Sequence, residues 1–395
     1  MLWKPLRLIP IKTDYDFLGK RIPALVLSTG INIASLILVF TVGFNFGIDF
    51  LGGIAVEARS TKGPADLAAI RTSTASLGVG EVSLQEFGNN ETVLVRVQRQ
   101  DPGPTCVANA GKVLSAALGA GWSMKPATGG LGGEIEVTAP QPFNDERRVA
   151  VARAIGVNDA QVARGAGPTT RVTMTPEQQA EWCQQVAIRL VSAALGEHYD
   201  IRRTESVGPK IGAELMRTGI ISVVLTMLGI AAYVWFRYEW QFAVGALVAL
   251  THDVLTTAGF FVITQLEFNL TALAALLTIA GYSVNDTVVV FDRVRENMRR
   301  YKKMSLVDML NVSVNETMSR TIMTSGTVFF AMVALAAFGG PVLHSFSYSM
   351  LWGVIVGTYS SIWIANASLV YLNLRPERLR PDDDDAKPNA KPARP

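Results

Sequence analysis

Histidine and cysteine are almost absent from this sequence, at three and two residues in 395. They are too scattered for a Cys/His metal cluster, and no Gly-Lys-Ser/Thr loop is present to cradle a phosphate. Charge is scarce as well: Asp, Glu, Lys and Arg make up 17% of the chain, against roughly 25% in soluble domains. The signs nearly cancel, with 36 basic and 33 acidic residues. The basic residues flank apolar runs and do not form one patch, which excludes a nucleic-acid-binding protein. A soluble enzyme with a hydrolytic, redox or metal centre is excluded too.

What the chain does have is long uncharged runs: Ile22–Ile48, Thr218–Phe236, Phe268–Asn285, Thr321–Leu343 and Ser345–Leu374. Runs of about 18 residues or more cross a ~30 Å hydrocarbon core as helices. They predict a polytopic α-helical membrane protein with six transmembrane spans, at 22–42, 218–236, 241–263, 269–291, 321–339 and 346–371. The third carries Asp253 between the apolar flanks Trp240–Thr251 and Val254–Leu266. The first is too long for the ~7–15-residue core of a cleaved signal and lacks a small-residue cleavage site. Pro23 suits its first turn, where a missing N–H costs nothing.

The basic residues orient the spans. Lys4, Arg7, Lys12, Lys20 and Arg21 precede span 1, and Arg237 separates spans 2 and 3. Arg293, Arg295, Arg299, Arg300, Lys302 and Lys303 follow span 4, and Arg375, Arg378 and Arg380 follow span 6. The alternate loops Gln265–Asn269 and Gly340–Ser345 carry no Lys or Arg. By the positive-inside rule both termini (1–21 and 372–395) are cytoplasmic, and 43–217 lies outside as a periplasmic domain. The tail is polar and Pro-rich, with the acidic run Asp382–Asp385, and reads as disordered. Cys106 and Cys183 both fall in the external stretch, so either a disulfide or two buried thiols is open there. A bond across that separation would be worth about 4 kcal/mol.

The external patterns are those of an α+β domain. Ile54–Arg59 alternates as a strand, Ala65–Leu77 is helical, and Glu81–Phe87 with Thr92–Val97 forms a hairpin around Gly88-Asn89-Asn90. Glu134–Thr138 and Val172–Met174 are short strands and Asn144–Ile155 is helical. Thr175 and Pro176 open a helix to Leu195, and Tyr199–Val207 returns as a strand. Leu77–Val97 and Ile155–Thr175 read as two copies of one α-β-β unit, and the Gly/Pro/Ala-rich stretch Pro102–Gly133 as including a surface excursion. Glycine at Gly47, Gly52 and Gly53 would let the chain leave span 1 at positive φ, with Asp49 accepting backbone N–H groups nearby.

The candidate chemistry is in the membrane. Asp253 lies in span 3, Asp286 in span 4 and Arg320 at the threshold of span 5, with Asp292 and Arg293 at the exit of span 4. A charge in hydrocarbon costs at least ~2.5–3.5 kcal/mol, so such groups face the bundle interior, pair or take up a proton. Two carboxylates and one arginine admit a proton relay, since desolvation favours the neutral carboxyl and a nearby guanidinium the ionised one. They also admit a static Asp286–Arg320 pair that holds two helices together. Asp292 and Arg293 can reach water from the interface. Asn285, Ser283 and Thr287 add groups that hold water beside Asp286, and Ala280 and Gly281 leave room for close helix approach.

Five stretches in this order resemble the SecF family of preprotein-translocation subunits. They are FNFGIDFLGG (Phe44–Gly53), SVGPKIGAEL (Ser206–Leu215), ALVALTHDVL (Ala246–Leu255), GYSVNDTVVVFDRVREN (Gly281–Asn297) and SRTIMTS (Ser319–Ser325). The resemblance implies a distant member of the RND transporter superfamily in the bacterial inner membrane, not an enzyme. It further implies a ferredoxin-like external domain, here enlarged within Asp101–Thr175. The implied partners are SecD, the SecY channel and its associated subunits, and the unfolded preprotein. No cofactor is implied beyond a coupling ion, by default the proton; no residue type decides between proton and sodium. Asp286 and Arg320 match residues implicated in proton transport, and Asp253 matches a His-Asp motif. Two rivals are an RND-type exporter of small or lipid molecules and a static scaffold for the channel.

Overall fold

The computed structural model describes residues 13–127, 134–164 and 167–374. The basic residues Lys4, Arg7 and Lys12, the Gly-rich end of the excursion at 128–133 and the polar tail from Arg375 lie outside the described residues. The chain separates into two compact units, one of residues 1–45 with 219–395 and one of residues 46–218. In chain order, α1 (Arg21–Thr41) leads into α2 (Ile48–Leu51), β1 (Gly53–Ser60), α3 (Leu67–Ala75), β2 (Val82–Phe87) and β3 (Asn89–Val97). Next come α4 (Pro104–Leu118), β4 (Ser123–Pro126), β5 (Glu134–Thr138), α5 (Asp145–Ile155), β6 (Thr169–Thr173), α6 (Pro176–Leu195) and β7 (Tyr199–Val207). The remaining helices are α7 (Pro209–Arg237), α8 (Trp240–Thr264), α9 (Leu270–Arg300), α10 (Leu306–Phe338), α11 (His344–Tyr359) and α12 (Ala365–Tyr371).

In the unit of 46–218, β1, β3, β2 and β7 form an antiparallel sheet of order β2-β3-β1-β7. With α3 between β1 and β2 and α6 before β7, this is the ferredoxin-like β-α-β-β-α-β arrangement. Ile54, Val56 and Ala58 on β1 and Val93, Val95 and Val97 on β3 alternate into the core, where Ile70 of α3 and Val186 and Val191 of α6 meet them. Positive φ is needed at Gly52 (72°) and Gly53 (129°), and a Cβ on Gly53 would stand 2.6 Å from the Val97 carbonyl. Gly47 departs from the expectation: its φ is −73°, an ordinary value, because it opens α2 in extended backbone. Asp49 lies in the first turn of α2. Gly212, near the start of α7, lets that helix pass within van der Waals reach of the Phe50 carbonyl.

Between β3 and α6 the chain inserts α4, β4, β5, α5 and β6, with a three-stranded antiparallel sheet of order β4-β5-β6. Cys106 on α4 is bonded to Cys183 on α6, with the Cα atoms 5.7 Å apart, and this ties the insert to the parent fold. Trp182 strengthens the tie by donating from Nε1 to the Ile155 carbonyl at the end of α5, 2.9 Å away. Within Pro102–Gly133, α4 starts on Pro104 and buries Val107, Ala110 and Leu114 at helical spacing despite its Gly and Ala content. One expectation is corrected here. The supposed second copy of an α-β-β unit is not one. After Ile155, Asn158 caps a short turn over Asp159–Gln161, and among the described residues the stretch before β6 makes a single bridge, from Val162 to Val172 of β6. The Asn158 side chain satisfies the local backbone there, in competition with strand pairing.

In the other unit, six helical segments are long and apolar enough to cross a membrane. The sixth consists of α11 and α12, joined by a π-helical turn over Ser360–Ile364. α8, α9 and α11 supply the interior, whereas α1 and α10 turn Val26, Phe40, Phe330 and Phe338 outward, as lipid-facing helices do. Glycine permits the close packing: a Cβ on Gly353 of α11 would collide with the Ile279 side chain, and one on Gly259 of α8 with Ser35 of α1. α10 begins at Leu306, well before the apolar run at Thr321, because Met309, Leu310, Val314 and Met318 keep one face buried through a polar stretch. Asn311 and Asn315 on that stretch accept from the backbone N–H groups of Phe17 (2.8 Å) and Tyr15 (3.0 Å) and so dock the segment before α1.

Candidate functional site: a polar centre among the membrane helices

α9 organises the centre. Ser283, Asp286, Thr287, Val290, Val294 and Asn297 recur at helical spacing and are all buried. The Asp286 carboxyl, 2% exposed, accepts from two hydroxyls of α10: Thr324 Oγ1 at 3.2 Å and Ser325 Oγ at 3.1 Å. Ser325 in turn accepts from Thr358 Oγ1 of α11 at 2.7 Å, so three helices share one hydroxyl chain ending on this carboxyl.

Asp253 of α8 is fully buried and more completely satisfied. His252 Nδ1 lies 2.9 Å from Oδ1, and Oδ2 accepts from Ser360 Oγ at 2.8 Å and from Ser283 Oγ. Ser360 opens the π-helical turn, and such turns recur at functional positions in helices. The carbonyls it frees are met by Asn366 Nδ2, which donates to Ser361 (2.8 Å) and Ile362 (3.0 Å). The His252 ring packs near Tyr359, whose hydroxyl donates to the Ala24 carbonyl of α1 at 2.9 Å. Ser283 and Asp286 are three residues apart on α9, a spacing that puts their Cβ atoms about 5–6 Å apart. The two carboxyls therefore belong to one centre.

Arg320 is not in contact with Asp286. It sits one turn before Thr324 on α10, solvent-exposed, and lines a cavity of about 500 Å³ with Asp292, Arg293, Glu296, Glu316 and Thr317. Among the described residues its side chain makes no ion pair or hydrogen bond. A static Asp286–Arg320 pair is therefore absent from this arrangement. Arg293 is paired with Glu296 (2.6 Å) and Glu316 (2.8 Å), and Asp292 accepts from the Tyr238 hydroxyl at 2.8 Å. Asn285 points away from the centre and is exposed. Gly47, Asp49, Gly52, Gly53, Cys106 and Cys183 belong to the other unit.

Magnitudes separate the two carboxyls. A hydrogen bond between membrane helices is worth about 0.6 kcal/mol on average and ~1.7 at most. At the average value two of them at Asp286 supply about 1.2 kcal/mol, short of the ~2.5–3.5 kcal/mol cost of a charge at that depth. The ionised form there needs a cation nearby, whereas the neutral form does not. Asp253 has two hydroxyl donors and the His252 ring as partners on three separate segments and needs less help. The residues that sequence reading missed are the hydroxyl partners Thr324, Ser325, Thr358 and Ser360 and the acid Glu316. The one signal available was Thr324 and Glu316 lying four residues to either side of Arg320.

Comparison with known proteins gives the family of the chain. Residues 188–375 match the family described as "Protein export membrane protein SecD/SecF, C-terminal". Residues 37–63 match the SecD/SecF GG motif. The protein translocase subunit SecF of Cereibacter sphaeroides is 38% identical over 369 residues, covering 93% of each chain. That of Rickettsia rickettsii is 34% identical, covering 91% of this chain and 92% of its own. The crystal structure of SecDF from Thermus thermophilus, a translocon-associated membrane protein, superposes with a TM-score of 0.62 at 27% identity. It matches 93% of this chain, which spans only 40% of the SecDF chain. With its GG motif, its six membrane helices and this likeness over nearly its whole length, the chain belongs to the SecD/SecF family of protein-export membrane proteins.

Proposed function

We propose that the chain is an accessory subunit of preprotein translocation that works with a SecD partner beside the SecY channel. It draws on the proton-motive force across the bacterial inner membrane. Asp286 is the proton carrier and Arg320 the mobile counter-charge; the 43–217 region is the moving part that acts on the emerging unfolded chain. The observation that carries this reading is a buried carboxyl held, among the described residues, by two hydroxyls of α10, the helix that also carries an arginine without a hydrogen-bond or ion-pair partner among those residues, which lines a polar cavity. A charge crossing 100 mV releases about 2.3 kcal/mol, enough to bias a two-state domain movement. The basic loops at Arg237 and Arg295–Lys303 support cytoplasmic termini and an external domain in the periplasm, where the Cys106–Cys183 bond is chemically at home.

The test uses inverted membrane vesicles lacking the native subunit and rebuilt with this chain and its SecD partner. Asp286→Asn, present at wild-type level, is expected to export preprotein equally with and without a proton gradient. Wild type is expected to export faster when the gradient is present. Equal gradient stimulation of both proteins would make Asp286 a packing residue and favour the scaffold reading.

A further inference from the structure

Among the acids of the cavity that Arg320 lines, Glu316 has a placement that the relay reading leaves unused. Glu316 and Arg320 are four residues apart on α10, with the acid on the N-terminal side, the orientation in which such pairs form best. Both line the same cavity. Glu316 Oε2 is held by Arg293 Nε and Asn297 Nδ2, each at 2.8 Å, while Oε1 accepts no hydrogen bond among the described residues. Arg320 likewise has no partner among them. Thr324, four residues further on, is bonded to Asp286. Arg320 thus stands midway along one helix face between a carboxyl that it can neutralise inside the bundle and one with a vacant oxygen at the cavity. The other charged groups facing Glu316 are Arg293 and Glu296 from α9, already paired with each other, and Asp292, bonded to Tyr238.

We propose that Glu316 is the second acceptor for the Arg320 guanidinium. When Asp286 loses its proton to the cavity, Arg320 turns to the carboxylate at Asp286. When Asp286 takes up a proton from solvent, Arg320 turns back to Glu316 Oε1. Glu316 is a positioning residue that acts through Arg320 and gives the arginine a place to go, so that neutral Asp286 is not held beside a buried cation. This inference rests on the relay reading of Asp286.

The experiment uses the full chain with its SecD partner in membranes. It reads two quantities: gradient-dependent export, and labelling of Asp286 by an apolar carbodiimide, which reacts with protonated carboxyls, quantified by mass spectrometry. Glu316→Gln is expected to hold Arg320 at Asp286, lowering labelling to the background of unlabelled controls and removing gradient stimulation of export. Glu316→Gln combined with Arg320→Gln is expected to restore labelling but not export. A merely structural Glu316 would leave labelling unchanged or raise it in the single variant, and that result overturns the inference. A double variant that stays unlabelled overturns it too, because the single effect would then be loss of fold. If Asp286→Asn keeps its gradient response, the relay reading itself fails. If Asp286→Asn loses it while Glu316→Gln alters neither quantity, only the role of Glu316 fails.

Discussion

Neutralising Asp286 and Arg320 together, as Asp286→Asn with Arg320→Gln, is expected to remove gradient-driven export as completely as either change alone. A static buried ion pair behaves differently: removing one partner strands a charge at a cost of roughly 3–5 kcal/mol, and removing both is often close to neutral. The two side chains make no direct contact here, and Thr324 and Ser325 occupy the hydrogen-bonding positions on the Asp286 carboxyl. A structural pair is therefore not what the double change would dissolve. In a relay each residue does a different task, so loss of both cannot compensate, and the double-mutant cycle reads full loss at three corners. The measurement is gradient-stimulated export by vesicles carrying each of the four proteins in equal amount. Recovery of export in the double variant would return Asp286 and Arg320 to a packing role.

Replacing Cys106 and Cys183 by serine is expected to lower the stability of the 46–218 unit by about 4 kcal/mol, the chain-entropy value for a closed loop of this length. At roughly 2–4 °C per kcal/mol for a domain of this size, its melting temperature should fall by on the order of 10 °C. The bond joins the inserted segment to α6 of the parent fold, and both sulfurs are buried, so no solvent contact offsets the loss. Limited proteolysis of the full-length protein on a temperature ramp measures this directly. Digestion of the 46–218 unit at the wild-type temperature in the variant would mean that the Trp182–Ile155 contact and the apolar core alone hold the insert in place.

The membrane architecture was readable because lipid leaves little choice: a span needs a long run without charge, and five such runs stand out in the residue order. Helix ends were less readable where an amphipathic stretch continues a span beyond the bilayer. Leu306–Arg320 is polar enough to end a hydropathy window, yet its Met309–Leu310–Val314–Met318 face is buried. Asp253, Asp286 and Arg320 were conspicuous because charge is expensive at depth. Their partners were not, since serine and threonine are common in membrane helices. Which of them face a carboxyl depends on how α8, α9, α10 and α11 are rotated against one another. Ser360 shows the difficulty well: its hydroxyl reaches Asp253 from a π-helical turn that no periodicity announces. In the 46–218 unit, alternation located β1, β2, β3 and β7, whereas α4 was hidden by glycine and alanine. The apparent repeat at Ile155–Thr175 was undone by one asparagine cap.

The most direct test of the central claim is proton movement itself. The chain and its SecD partner would be placed in proteoliposomes with an internal pH dye, an imposed gradient and a stalled preprotein on the channel. The account predicts acidification that depends on the subunit, disappears in Asp286→Asn and persists when Asn285, which faces away from the centre, is replaced by alanine. Equal proton movement with wild type and Asp286→Asn would contradict it.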